Sequence, residues 1–318
     1  MATSDTRCVV IVGPTAVGKT RLGIEVAKAF GGEVINGDAM QVYRGLNIGT
    51  AKVTPEEADG IPHHLIDILE PTEDYTVAAF QKDARRLITS LNHEGKLPVL
   101  VGGTGLYVKA ALYDYQFNEA SEDPDLREAL QKRAEEEGPE VLYKKLLEVD
   151  PGAAERIHPN NLQRVIRALE IFQKTGKAMS EHLPTESPKL VMDPVVIGLT
   201  MDRPLLYERI NNRVDQMIQQ GLVEEAKSLY DRGVRKTQSV MAIGYKELFG
   251  AFDGEYSLEE AIELIKKNSR RFAKRQLTWF RHQMPIEWFD VTDYLDSFEK
   301  KIEEIIYFIA GKFEKKSN

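Results

Sequence analysis

The residues Gly13, Pro14, Thr15, Ala16, Val17, Gly18, Lys19 and Thr20 satisfy the spacing G-x-x-x-x-G-K-[ST]. They lie between a short β-branched apolar run, "CVVIV", and a stretch with apolar residues at helical spacing, "KTRLGIEVAKAF". In that setting the pattern is a phosphate cradle. Consecutive backbone N–H groups at a helix N-terminus surround an anion, and Gly13 and Gly18 allow close approach without Cβ clashes. Lys19 supplies charge, and the Thr20 hydroxyl is suited to ligating Mg²⁺. Such a loop recognises a diphosphate unit without revealing what is attached. A transferred phosphoryl group and a departing diphosphate are equally compatible with it.

Three further groups could complete the chemistry. A kinase or NTPase normally adds a strand ending in an aspartate that helps hold magnesium. The matching strand here, "LPVLVGGTG", ends in Gly102, Gly103 and Thr104 with no carboxylate. The first acidic residue at a strand end is Asp38, in "INGDAMQVYRG". It reads either as a turn carboxylate or as a general base beside the phosphate loop, where parallel sheets place their ligands. Thr104 reads either as a turn residue or as a hydrogen-bonding group for substrate. Arg209 and Arg213, four apart in "YERINNRVDQM", share one helical face. They could clamp a diphosphate from the side opposite the loop, or form a solvated face with Glu208. His63 and His64 are adjacent and so point apart, which suits a local structural role better than a metal pair. Cys8 falls inside the first strand and is expected in the core.

These groups need a scaffold, and the pattern supplies one. "CVVIVG", "GEVINGD", "LPVLVGGTG" and "DPVVIGLTMD" are short apolar runs alternating with helical stretches. That alternation predicts an α/β fold, a P-loop NTPase-like parallel sheet flanked by helices. The character changes near residue 117. "EDPDLREALQKRAEEEG" and "NNLQRVIRALEIFQKTG" are charged and helical in period, opened by Asp123 and Asn161 and closed by Gly138 and Gly176. Residues 117–188 therefore read as an all-helical insertion domain in a catalytic core of residues 1–116 and 189–318, with "PTESPK" and "MDP" as its exit linker. Ser257 and Glu260 have capping-box spacing before a long helix, and the tail "KFEKKSN" is expected to fray.

Composition narrows the setting. The 318 residues carry one cysteine, which excludes an intrachain disulfide framework or a cysteine-based zinc cluster. No run of about 18 apolar residues or signal-peptide pattern is present, so a soluble cytoplasmic protein with no membrane association is expected. A formal net charge of −8 argues against indiscriminate polyanion binding. The charge is not evenly spread: residues 266–281, "KKNSRRFAKRQLTWFR", hold seven Lys or Arg and no acid, interleaved with Phe272, Trp279 and Phe280. The aromatics suit core packing, Trp279 in particular, whereas basic residues such as Lys274 and Arg275 suit either a solvated face or RNA phosphates.

Taken together, "GPTAVGKT", "INGDAMQVYRGLNIGTAK", "HHLIDILEP", "LVGGTGLYVKAAL", "NLQRVIRALEI", "AIGYKEL" and "KRQLTWFR" resemble the tRNA dimethylallyltransferases, also called tRNA isopentenyltransferases, of bacterial type. The stretches follow in family order from residue 13 to residue 281. The resemblance implies transfer of a five-carbon allylic group from dimethylallyl diphosphate to the exocyclic amine of the adenosine 3′ of the tRNA anticodon, position 37, with release of diphosphate. On that reading the cradled diphosphate is the leaving group. Asp38 would accept the amine proton, and Asp38, Ala39, Met40 and Gln41 would touch the target adenosine. Thr104 would border the tRNA side of the reaction channel. Gly13 to Thr20 would hold the diphosphate with Mg²⁺. In the insertion, Gln163, Arg164, Val165, Ile166 and Arg167 would grip the anticodon stem-loop, joined by Arg127. The zinc finger that some eukaryotic members carry is excluded by the single cysteine.

The expected chemistry follows. An allylic diphosphate ionises readily, so the protein must stabilise the departing anion and aim a weakly nucleophilic amine, helped if Asp38 removes its proton. The adenine must leave the loop stack to reach the site. A monomer is expected. Two other functions remain compatible with the phosphate loop. An adenylate isopentenyltransferase would use a free nucleotide and would have no need of "NLQRVIR", and a small-molecule kinase or P-loop switch would turn over ATP or GTP.

Overall fold

The computed structural model describes residues 6–115, 117, 123–182, 188–235, 237–294 and 297–317. The chain runs β1 (Arg7–Val12), α1 (Lys19–Phe30), β2 (Glu33–Asn36), α2 (Pro55–Ala58), β3 (His63–His64), α3 (Val77–His93), β4 (Pro98–Gly102) and α4 (Gly105–Leu112). Next come α5 (Pro124–Glu137), α6 (Pro139–Val149), α7 (Pro151–Ala154) and α8 (Leu162–Thr175). It closes with β5 (Asp193–Thr200), α9 (Arg203–Gln219), α10 (Leu222–Asp231), α11 (Tyr245–Phe252), α12 (Leu258–Gln283), β6 (Glu287–Asp290) and α13 (Phe298–Ser317).

All six strands pair in parallel in the order β3-β2-β4-β1-β5-β6. β1 is central and apolar throughout because both of its faces are covered. Val9 and Ile11 join Leu22 and Val26 of α1, Leu206 and Ile210 of α9, and Ile305 and Ile309 of α13. Cys8, Val10 and Val12 point to the other face, toward Phe80 and Ile88 of α3, Val108 of α4 and Ile265 of α12. The period-2 alternation of one six-residue strand thus seeds both layers of the core. Cys8 is fully buried there, and that apolar setting pushes its thiol up to about 12, well out of the reactive range.

Two compact units result, Met1–Tyr113 with Leu190–Asn318, and Asp114–Lys189. The second has its own core, built from Leu130, Leu142, Leu146, Ile157, Val165 and Leu169 among others. Its caps are those the sequence names: Asp123 accepts from Leu126 N, Asn161 accepts from Arg164 N, and Gly138 and Gly176 close α5 and α8. Ser257 and Glu260 form the reciprocal capping box of α12.

Three local expectations need correction. Of the proposed exit linker, residues 184–187 lie outside the described residues, and "MDP" is not linker. Met192 is buried, and Asp193 and Pro194 already pair with Arg7 and Cys8. Proline is tolerated there because β6 pairs with β5 only from Ile197 onward. The tail, expected to fray, continues α13 as helix to Ser317, and at its start Phe313 packs edge-on against Phe30 and Lys312 Nζ lies 3.1 Å from Glu287 Oε1. β3 and β6, two and four residues long, were not evident in the sequence, because neither presents an apolar run.

Candidate active site

The neighbouring strands β2, β4 and β1 end at one edge of the sheet, and their carboxyl ends carry the residues that matter. The phosphate loop follows β1, Asp38 follows β2, and Thr104 follows β4. Two glycines make the juxtaposition possible. Gly37 N donates to Val101 O at 2.7 Å, and a Cβ on Gly102 would lie 2.4 Å from Gly37 O. No carboxylate could replace Gly102, so the magnesium-holding aspartate of a kinase has no room at this strand end.

The cradle is held from several sides. Gly13 and Gly18 adopt φ of 147° and 105°, and Ala16 also turns left-handed at 65°. A Cβ on Gly13 would strike Leu199 O at 2.6 Å, and one on Gly18 would strike the Phe298 ring at 2.8 Å. Lys19 Nζ donates to Pro14 O at 2.7 Å. From α9, Arg209 Nε donates to Ala16 O at 3.1 Å, and Arg213 Nη1 lies 3.5 Å from Thr15 Oγ1. The two arginines therefore share one face and meet the loop, Arg209 while still exposed beside Glu208 and Arg213 half-buried. Val17 is 2% exposed, so its contribution to an anion is confined to its backbone.

The positive charges crowd one another. Burial pulls the Lys19 ammonium down to about 7, with Arg213 pushing the same way and Asp38 opposing. The Arg213 guanidinium is also lowered, mainly by burial, with Arg209 adding to the effect and Glu57 and Asp38 resisting it. A site that strains its own cations is one that an anion would relieve.

Asp38 is half-buried, and its Oδ1 accepts from Met40 N at 2.8 Å. Asn36 fixes the turn, accepting from Asp38 N at 3.0 Å and donating to Leu65 O at 3.0 Å. The turn role is therefore real, yet Oδ2 has no hydrogen-bond donor among the described residues. Thr104 Oγ1 accepts from Ala39 N at 3.2 Å, tying the two turns together and leaving its own hydroxyl proton to donate. Gln41 Nε2 donates to Thr50 O at 3.0 Å and so supports the opposite wall.

Three cavities share these walls. An outer cleft of about 770 Å³ is lined by Gly18, Lys19, Thr20, Arg209 and Arg213. A polar cavity of about 100 Å³ shares Lys19, Thr20 and Arg213 with it and adds Asp38, Gln41 and His63. An apolar cavity of about 370 Å³ shares Thr15, Asp38, Thr50 and Arg213 with the polar one, and adds Met40, Thr104 and Arg275. The loop residues, Asp38 and Thr104 thus line a series of adjoining cavities with shared walls. Thr20 stands exposed on the wall of the outer cleft. Among the described residues no cluster of three or more His, Cys, Asp or Glu could hold a metal unaided.

Several residues that shape these cavities escaped the sequence reading. Gln276 on α12 is 6% exposed and accepts from Thr15 N at 3.0 Å. Glu225 on α10 accepts from Asn47 N, Ile48 N and Gly49 N at 2.9 to 3.1 Å and from Tyr245 Oη at 2.5 Å, pinning the loop whose Gly49, Thr50 and Ala51 face the apolar cavity. Both are polar residues on the buried face of an amphipathic helix. That mismatch in the helical period is the sequence signal that could have found them. Phe272, assigned above to core packing, is only half-buried and lines both inner cavities, whereas Trp279 packs against Gly105 as expected. His64 Nε2 pairs with Glu33 Oε2 at 2.6 Å, a structural role, while His63 also faces the polar cavity.

The RNA candidates divide. Lys274 and Arg275 are exposed on α12, whereas Lys266 pairs with Asp215 at 2.8 Å and Arg270 donates to Asn211 Oδ1 at 2.5 Å. In the insertion, Gln163 and Arg164 are exposed at the start of α8. Val165 and Ile166 are 0% and 5% exposed within the insertion core, so they cannot contact RNA; successive helical residues cannot all face one ligand. Arg127 and Arg167 both reach the fully buried Glu170, at 3.1 and 2.6 Å, and with them Asp123 N holds that carboxyl below its usual range. Both side chains remain partly exposed, 34% for Arg127 and 30% for Arg167, so the pairing with Glu170 orients them without taking them from the surface.

Comparison with known proteins places this geometry in a lineage. The sequence model of the IPP transferase family matches residues 41–283. A tRNA dimethylallyltransferase of Geobacillus thermodenitrificans is 57% identical over 312 residues, covering 98% of this chain and 99% of that protein. The crystal structure of the full-length tRNA isopentenylpyrophosphate transferase of Bacillus halodurans aligns with a TM-score of 0.74 at 54% identity, covering 98% of each chain. A eukaryotic dimethylallyltransferase, seen acting on tRNA, aligns with a TM-score of 0.79 at 31% identity, over 96% of this chain and 80% of its own. The family match and the near full-length relatives agree with the strand-end constellation, and the chain belongs to the IPP transferase family.

Proposed function

We infer that the chain transfers a dimethylallyl group from dimethylallyl diphosphate to the exocyclic amine of the adenosine 3′ of the tRNA anticodon, releasing diphosphate. One observation carries the inference beyond the family's chemistry to these residues. The phosphate loop with Lys19 and Arg209 borders the outer cleft, Thr104 and Arg275 border the apolar cavity, Asp38 lines the apolar and polar cavities, and Arg213 lines all three.

In this arrangement the loop amides, Lys19 and the two arginines receive negative charge as the carbon–oxygen bond breaks. Such preorganised donors contribute roughly 3 kcal/mol each where they act on developing charge. The amine enters from the Thr104 side, and Asp38 takes its proton as the new carbon–nitrogen bond forms. The apolar cavity has room for a purine extruded from the RNA loop, and Met40, Ile243 and Phe272 offer it apolar surface and an aromatic face. Mg²⁺, held by Thr20 and the diphosphate oxygens, would add charge stabilisation for the leaving group. The reaction moves no γ-phosphate, which sets it apart from a kinase, and the macromolecular acceptor sets it apart from a transferase acting on free adenylate. A soluble, cytoplasmic protein suits this function, and no described helix is long and apolar enough to cross a membrane.

The direct test combines protein, Mg²⁺, dimethylallyl diphosphate and an anticodon stem-loop, and weighs the RNA. A five-carbon gain on the adenosine 3′ of the anticodon is expected; consumption of ATP with no change in the RNA would refute the assignment. For the RNA surface, Arg164→Glu is expected to weaken stem-loop binding and to lower the slope of log affinity against log salt by about one, since one phosphate contact is lost. An unaltered slope would move the RNA surface away from the start of α8.

A further inference from the structure

The loops that follow β1 and β4 carry the two halves of the reaction, yet pairing of these strands ends at Val12 and Gly102. Beyond that point, the only hydrogen bonds joining residues 13–18 to residues 102–105 among the described residues pass through one side chain. Gln276 Oε1 accepts from Thr15 N at 3.0 Å, and its Nε2 donates to Gly103 O at 3.0 Å. The orientation of the amide is dictated, because a backbone N–H must meet the oxygen and a carbonyl must meet the nitrogen. A Cβ on Gly103 would lie 2.2 Å from Nε2, so glycine is required for the approach. Gln276 sits on α12 between the buried Ala273 and Phe280, which leaves the amide little freedom to wander.

We propose that Gln276 is a positioning residue that fixes the separation between the leaving-group cradle and the acceptor-side turn, so that ionisation of the allylic diphosphate stays coupled to capture by the amine. The proposal rests on the reading above, that the cradle holds the diphosphate and that Thr104 borders the acceptor. Thr15 lines both inner cavities, and Thr104, next to Gly103, is tied to Ala39 and thus to the Asp38 turn. One amide therefore spaces the departing oxygen from the incoming nitrogen. A misplacement of about 1 Å is worth on the order of a hundredfold in rate for such alignments. A loosened pair of loops would also let water reach the allylic cation first. Water then forms the new carbon–oxygen bond, its proton passes to solvent, and the five-carbon alcohol and diphosphate are the products.

Gln276→Met removes both hydrogen bonds at similar length, and Gln276→Glu keeps the acceptor for Thr15 N while setting a carboxylate against the Gly103 carbonyl. Each folded variant is assayed with Mg²⁺, dimethylallyl diphosphate and the stem-loop, counting diphosphate released and RNA alkylated in the same reaction. Wild type is expected to give a ratio of one. Gln276→Met is expected to lose roughly 10- to 100-fold in kcat, to hold both KM values within about threefold, and to raise the ratio clearly above one. Gln276→Glu should do the same at neutral pH, its ratio returning toward one as the pH falls and the protonated carboxyl donates to Gly103 O. A ratio that stays at one in both variants, with kcat intact or with loss confined to KM, overturns the proposal. Wild-type protein that fails to alkylate RNA at all would instead defeat the reading on which the proposal rests.

Discussion

Asp38→Asn is expected to slow prenyl transfer at least about a hundredfold while leaving stem-loop affinity nearly unchanged. The argument turns on the two oxygens of one carboxylate. Oδ1 accepts from Met40 N, and an asparagine carbonyl can do the same, so the turn survives the substitution. The other oxygen, which finds no donor among the described residues, becomes an NH₂ group that cannot take a proton. General-base assistance is commonly worth 10² to 10⁴ in rate, and the exocyclic amine of adenine needs it because its lone pair is delocalised into the ring. Asp38→Ala removes the cap as well, so a similar loss in both variants assigns the effect to the base. The substitution also removes a negative charge near Lys19 and Arg213. KM for the diphosphate substrate should therefore stay level or fall. Turnover by Asp38→Asn within about threefold of wild type would reduce Asp38 to a turn residue.

The residues that read clearly in the sequence are those governed by local rules. The cradle spacing, the Asp123, Asn161 and Ser257 caps, and the apolar run that forms the first strand each express a preference set within a few positions, and the structure honours them. Asp38 and Thr104 were legible as strand-end residues, but their meeting was not. It depends on β2 and β4 being neighbours and on the close approach of Gly37 to Gly102. Gln276 lies 261 residues from its partner Thr15, and Glu225 lies 176 to 178 from the loop it pins. No local pattern encodes such partnerships. What the sequence does contain is the anomaly of a polar side chain on an apolar helix face, which marks a position without naming its partner. The reverse error occurred in "LQRVIR", where membership in one stretch suggested a common role for residues that the helical period sends to different sides. Val165 and Ile166 went inward, while Gln163 and Arg164 stayed exposed and Arg167 partly so.

Lys19→Met is expected to cut transfer by two to three orders of magnitude, and wild type should show a pH dependence that this variant lacks. In the site without an anion, the Lys19 ammonium titrates near 7 rather than at the 10.5 of a free lysine. The unfolded chain therefore holds a proton that the native chain lacks between about pH 7 and 10.5. Stability contributed by this group rises with pH across that window, and the full penalty of a buried cation applies below it. Binding of a diphosphate reverses the sign. The anion stabilises the ammonium and raises its pKa again, so at pH 8 the protein must take up a proton as the anion binds. Apparent diphosphate affinity should consequently fall as pH rises above 7, approaching about tenfold per unit, until the bound-state pKa is reached. Calorimetry at pH 8 in buffers of different ionisation enthalpy measures the uptake directly. Wild type should approach one proton beyond what Lys19→Met takes up, the variant reporting the titration of diphosphate itself. Equal uptake by the two proteins would show that Lys19 enters the encounter already charged, and that the crowding by Arg213 is relieved some other way.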